Sequence, residues 1–128
     1  MRMLRIEKSA IHGLGCFSDS IILPNTVIVE YTGEWINLRQ AVHRNRRNAR
    51  TRSDYILEVD GNTFIDGSIR GNISRFINHS CRPNCCIRRI GRRAFIVSLT
   101  RISVSGLGIR TRLSTANWRD QNSFMPVI

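Results

Sequence analysis

The sequence predicts a mainly β fold with little helix, and three stretches carry that prediction. Residues 26–31 read TVIVEY, a run rich in β-branched residues that favours a strand. The triplet Asp60-Gly61-Asn62 and the pair Gly91-Arg92 each lie between two short apolar runs, which is typical of hairpin turns. The chain is therefore expected to form short strands joined by tight turns.

The remaining elements follow from the same reading of the chain. Residues 37–50 are polar and arginine-rich, and they predict either a helix or a mobile insert. Residues 73–77 predict one helical turn, and no period is visible after Ile102. The predicted strands are residues 3–6, 15–18, 26–31, 55–59, 63–66, 85–90 and 93–99.

Length and hydropathy predict one soluble domain. The chain has 128 residues, which suits one domain with one modest core. No apolar run approaches the roughly 18 residues of a membrane span, and residues 1–10 lack the apolar centre of a signal peptide. We therefore expect an intracellular protein of the cytoplasm, the nucleoid or the nucleus.

The charge is strongly positive and unevenly distributed. The formal net charge is +11, supplied by nineteen arginines and one lysine. Residues 67–128 hold eleven arginines and one acid, Asp120, whereas residues 1–66 are nearly balanced. This back half predicts non-specific contact with nucleic acid or with an acidic protein, although a solvated, solubilising surface explains it equally well.

Four cysteines and one polar segment are the candidates for chemistry. Cys16, Cys81, Cys85 and Cys86 are expected to be thiols, and the lack of a CxxC pair argues against a self-contained zinc site. Residues 71–85 read GNISRFINHSCRPNC, with polar side chains between apolar ones. Because buried polar groups need hydrogen bonds, this segment predicts either a structural knot or a ligand cradle.

Within that segment, RFINHSCRPN at residues 75–84 resembles the signature by which SET-domain protein-lysine methyltransferases bind S-adenosylmethionine. Three further stretches stand in that family's order, namely HGLGCF at 12–17, EYTGE at 30–34 and DYILEVDGNTFIDGSIRGN at 54–72. The similarity covers about residues 4–102. It implies a SET-domain fold of several small curved sheets around a pseudoknot-like core, in a single domain over residues 1–128 with an atypical tail from 103.

The resemblance also implies roles for particular residues. Tyr31 would be catalytic by lining the channel for the substrate lysine, and Phe95 would lie near that channel. Cys85 matches a zinc ligand of members with a cysteine-rich extension, and without that extension we expect no metal. The residues expected to bind the cofactor S-adenosylmethionine are His12, Gly13, Leu14, Tyr55, Arg75, Asn78 and His79.

The implied activity is methyl transfer to the side-chain amine of a protein lysine, with a histone or a nucleoid-type protein as partner. A histone tail is basic, so it would need an acidic or neutral face. The expected face consists of the front-half acids Glu30, Glu34, Asp54, Glu58, Asp60 and Asp66.

The tail departs from the family pattern. After AFIVSLTRI, SET domains carry a segment like Gly-Glu-Glu-Leu-x-Tyr-Asp-Tyr, whereas this chain has no tyrosine after Tyr55. The tail is either naturally divergent or read in a shifted frame, since codons for residues 110–114 can spell Glu-Leu-Asp-Tyr one base later. Two alternative functions follow: a catalytically impaired or inactive SET-like binding module, and an arginine-rich nucleic-acid-associated protein on a SET scaffold.

Overall fold

The computed structural model describes residues 3–10, 13–48 and 55–112. Over these ranges it contains ten short strands, one α-helix and one 3-10 turn at Ile73–Phe76, which confirms the mainly β prediction. The elements are β1 Leu4–Lys8, β2 Leu14–Ser18, β3 Val27–Glu30, β4 Glu34–Asn37, α1 Leu38–Asn48, β5 Ile56–Asp60, β6 Thr63–Asp66, β7 Asn78–His79, β8 Cys85–Ile90, β9 Arg93–Ser98 and β10 Arg110–Thr111.

The strands form four small sheets. β1 pairs antiparallel with β2, and two three-stranded sheets have the orders β3-β9-β8 and β4-β6-β5. β10 lies parallel to β7, with Arg110 opposite Asn78 and Thr111 opposite His79. Register shifts within the β3–β9 and β5–β6 pairs mark irregularities of the kind that bend a sheet. These small, bent sheets agree with the fold class implied by the family resemblance.

The core lies where the β4-β6-β5 sheet meets α1 and the other sheets. Phe64 and Ile65 are adjacent in β6 and both fully buried, so both faces of this central strand are covered. α1 contacts β4 and β6, and its Ala41 is fully buried. The arginine-rich stretch therefore forms a helix over Leu38–Asn48, and residues 49–54 lie outside the described ranges.

The last described segment returns to the polar stretch that the sequence singled out. Ile109 bridges to Cys16 of β2, and the next two residues form β10 beside β7. A segment without visible period thus becomes ordered because it completes strands from two distant parts of the chain. None of the helices in the described residues has the length and apolar character that a membrane span requires.

Candidate functional site

The first turn of the chain and Asn78 lie side by side. The Ser9 amide donates to the Gly13 carbonyl at 2.7 Å, and Gly13 has a φ of 46°, which favours glycine. Asn78 Nδ2 donates to Ser9 Oγ at 3.0 Å. A Cβ on Gly15 would lie only 3.2 Å from Asn78 Nδ2. The glycines at 13 and 15 therefore shape the turn and let it approach Asn78 closely.

A second cluster surrounds the guanidinium of Arg75. Its Cζ lies 4.8 Å from the ring centre of Phe76 and 5.8 Å from that of Tyr55, and the two rings meet edge to face at 5.9 Å. Arg75 Nε is buried and has no hydrogen-bond partner in the described structure. Arg75 as a whole is partly exposed and its guanidinium carries further N–H donors, so this position suits an anionic or strongly polar ligand group.

The two clusters are neighbours. The 3-10 turn that carries Arg75 lies against β1 and β2, and β7, which carries Asn78, also lies against β2. The Asn72 side chain caps the turn by accepting from the Ser74 amide at 3.0 Å. The structure thus brings Gly13, Tyr55, Arg75 and Asn78 to one part of the surface.

Tyr31 is connected to this site through Tyr55. Its side chain is only 1% exposed, and its hydroxyl donates to the Tyr55 carbonyl at 2.6 Å. The Gly67 amide donates to the same carbonyl at 2.9 Å, and a Cβ on Gly67 would lie 3.1 Å from the Tyr31 hydroxyl. The expected catalytic residue is therefore connected directly to an expected cofactor-binding residue.

The remaining predicted residues differ in their surroundings. His79 is 2% exposed, and its Nε2 lies 3.6 Å from Cys81 Sγ. Leu14 begins β2 and is about half exposed. His12 lies outside the described residues. Of the neighbours Asn78 and His79, only Asn78 is accessible enough for a ligand to reach its side chain without rearrangement.

Asn84 is a site-forming residue that the sequence did not single out. Its Nδ2 donates to the Gly108 carbonyl and its Oδ1 accepts from the Arg110 amide, both at 2.8 Å. Its own amide and carbonyl bond to the Arg110 carbonyl and the Leu99 amide. Asn84 therefore fastens β10 to the signature loop. Its place in a buried polar run was a signal, but the sequence does not say which asparagine is structural.

The acidic face expected from the sequence is mostly occupied by ion pairs. Arg44 contacts both Glu34 and Asp66, while Glu30 and Asp60 pair with one arginine each. The hydrogen bond from Arg93 lowers the pKa of Glu30. Asp54 lies outside the described residues. Four of the six expected carboxylates therefore have an arginine partner, and the three arginines balance all but one of these four negative charges.

A groove of about 240 Å³ runs between the edge strands β5 and β8. Burial raises the pKa of the Cys85 thiol on its wall to about 12. Among the residues that the structure describes, no three His, Cys, Asp or Glu side chains are grouped closely enough to hold a metal ion. The groove is lined by Glu58, Val59, Pro83, Cys85, Cys86, Ile87, Leu99, Thr111 and Arg112.

Comparison with known proteins decides the family. The SET domain family model matches residues 13–105, which includes the glycine turn, Tyr31 and the whole polar signature. The chain belongs to the SET domain family. The SET domain assignment is consistent with the small open sheets and with the position of β10 beside the signature.

Three relatives have names that state an activity. A histone-lysine N-methyltransferase, H3 lysine-4 specific, of Emericella nidulans is 43% identical over 89 residues, covering 68% of this chain and 7% of the relative. The protein of the same name in Schizosaccharomyces pombe is 36% identical over 110 residues, covering 82% of this chain and 12% of the relative. Histone-lysine N-methyltransferase set-2 of Caenorhabditis elegans is 42% identical over 88 residues, covering 66% and 6%. This SET domain thus spans a small part of each relative's length.

Proposed function

We propose that this SET domain transfers the methyl group of S-adenosylmethionine to the side-chain amine of a histone lysine at chromatin. The observation that carries the proposal is the cluster of polar groups around Arg75 and Asn78, which lies within residues 13–105 matched by the SET domain model. The names of those relatives make lysine 4 of histone H3 the first substrate to test.

The residues present suit such a cofactor. Arg75 is partly exposed, and its guanidinium, which lies near the rings of Tyr55 and Phe76, can pair with a carboxylate. Asn78 offers an amide beside the open turn at Gly13, where an added Cβ would meet nothing within 4 Å. When bound, the cofactor supplies a methyl group that its sulfonium has already activated.

Tyr31 is the proposed catalytic residue. Its hydroxyl is held on the Tyr55 carbonyl, so its oxygen can accept a hydrogen bond from a substrate amine while its proton stays engaged. The low exposure of this region disfavours a charged ammonium and therefore favours the neutral amine that methyl transfer needs. Positioning the amine and excluding water are thus the tasks of this chain's own residues.

The decisive experiment is transfer of a radiolabelled methyl group to histone H3. The matched substrate control is a histone H3 in which arginine replaces lysine 4. We expect labelling of the first histone and not of the second. Tyr31→Phe should lower kcat by about tenfold or more while cofactor affinity changes less than threefold. Equal turnover by wild type and Tyr31→Phe would remove Tyr31 from the catalytic role.

A second candidate function is a SET-like module that binds the cofactor without turnover. It is favoured by one observation, the absence of any tyrosine after Tyr55 in the sequence. S-adenosylmethionine at millimolar concentration should raise the melting temperature under both proposals, because binding to the folded state alone stabilises it. Stabilisation without methyl transfer would support this second candidate, and no stabilisation would contradict both.

A further inference from the structure

Three arginines gather around the loop between His79 and Asn84. Arg110 Nη1 donates to the Arg82 carbonyl at 3.4 Å, and Arg112 Nη2 donates to the Cys81 carbonyl at 3.3 Å. Asn84 holds this arrangement by binding the backbone of Arg110. Residues distant in sequence thus converge because β10 runs beside β7. The arginine cluster consists of Arg82, Arg110 and Arg112.

The positive charge of this cluster has few carboxylates near it. Residues 67–112 contain ten arginines and no aspartate or glutamate. Two of those ten reach acids of the front half, since Arg89 pairs with Asp60 and Arg93 with Glu30. The ion pairs found among the described residues include none to the cluster, although Glu58 lines the same groove as Arg112.

Two members of the cluster present their side chains to solvent, since Arg82 and Arg112 are exposed. Each guanidinium carries five N–H groups in a planar fork, and the recorded bonds use one group on Arg110 and one on Arg112. The cluster therefore has spare donors with the geometry that matches an oxyanion.

We propose that the arginine cluster binds the phosphate backbone of duplex DNA without sequence preference. Charge complementarity favours this partner, because the net charge of +11 attracts a polyanion over long range and arginine forks match phosphate oxygens. A lysine-rich peptide would be repelled by the exposed Arg82 and Arg112, whereas phosphates would neutralise their charge. The inference deepens the proposed function, since histone substrates lie on DNA.

The test uses the full chain and a fluorescent duplex of about 20 base pairs, with affinity measured by anisotropy between about 50 and 200 mM salt. Arg82→Gln with Arg112→Gln should weaken binding by at least about tenfold at roughly 100 mM salt, and should reduce the slope of log affinity against log salt by about 1.8 for two lost phosphate contacts. Replacing both by lysine should restore most of the affinity, because the charge returns.

The matched control is Arg39→Gln with Arg92→Gln, which removes the same charge from two exposed arginines on α1 and on the β8–β9 turn. It should change affinity less than threefold. An equal loss in the control would overturn the proposal in favour of diffuse charge. Tighter binding of a polyglutamate peptide than of DNA would overturn it in favour of an acidic protein. The assay contains no cofactor or histone, so its outcome is independent of methyl transfer.

Discussion

Asn78 and Asn84 lie six residues apart in one signature and have opposite surroundings. Asn78 is partly exposed, and its recorded side-chain bond is a single contact with Ser9. Asn84 is 8% exposed and uses both ends of its amide on the backbone of Gly108 and Arg110. The Asn78 end of the signature therefore leaves its side chain partly exposed, whereas the Asn84 end holds two chain segments together.

The reason lies in the backbone at each position. Asn78 belongs to β7, whose strand partner β10 satisfies the main chain and leaves the side chain to face the glycine turn. Asn84 lies in the loop before β8, and its side chain binds the Gly108 carbonyl and the Arg110 amide in place of a backbone group. An asparagine side-chain amide has a donor end and an acceptor end, so it can make the two hydrogen bonds that a neighbouring backbone would otherwise make.

The largest effect is expected at the structural end. Asn84→Ala would leave a buried carbonyl at Gly108 and a backbone amide at Arg110 without partners, at a cost of about 2–4 kcal/mol in the free energy of unfolding. Thermal unfolding should show a melting temperature lower by roughly 10 °C. Asn62→Ala in the exposed β5–β6 turn is the control and should stay within a few degrees of wild type.

An unchanged melting temperature in Asn84→Ala would show that β10 is not held by this residue. In that case the arrangement of the arginine cluster would also lose its support, because the same hydrogen bonds bring Arg110 to the loop.

A smaller effect, on cofactor affinity and not on stability, is expected at Asn78. Asn78→Ala should weaken S-adenosylmethionine binding by about tenfold, or about 1.4 kcal/mol, because it removes one positioned amide. The melting temperature without cofactor should move by less than about 3 °C, since the Asn78–Ser9 bond is partly exposed. Calorimetric titration with the cofactor measures the first change and thermal unfolding the second.

Normal cofactor affinity in Asn78→Ala would contradict the role given to this end of the signature. His79→Ala should also impair binding, but His79 is buried, so the loss of its ring creates a cavity and lowers stability as well. Asn78 is therefore the cleaner of the two tests.

The smallest effect is on cysteine reactivity, with no change in stability expected. Cys81 is exposed, whereas burial raises the pKa of Cys16 and of Cys85 to about 12. Because thiolates are the reactive form, iodoacetamide at about pH 8 should modify Cys81 well before Cys16 or Cys85, as followed by mass spectrometry. In Asn84→Ala the labelling of Cys85 should become faster. That result would show that loss of the Asn84 side-chain amide opens the loop between His79 and Asn84.

Local signals in the sequence predicted the hairpins well and the very short strands poorly. The turns at 60–62 and 91–92 join β5 to β6 and β8 to β9, as their turn residues indicated. β4, β7 and β10 were not predicted, because β7 and β10 have only two residues each and β4 has a polar residue at either end. They exist because partners elsewhere in the chain complete their hydrogen bonds.

The candidate site was predicted in the same uneven way. The match to the signature indicated Arg75 and Asn78, and in the structure both residues are partly exposed and lie on elements that contact β2. The roles of Tyr31 and the cofactor-binding residues remain predictions. The sequence could not show that the acids of the front half are engaged by Arg44, Arg89 and Arg93, since those pairs join residues up to 63 positions apart.

By itself, the sequence determined the mainly β class, the SET family and the excess of arginine in residues 67–128, because these depend on residue type and local order. The tertiary structure alone decided that Asn84 fastens β10 to the signature and that Arg82, Arg110 and Arg112 share one surface. The physical reason is that both depend on which distant backbone groups lack partners, and this is settled only when the chain folds.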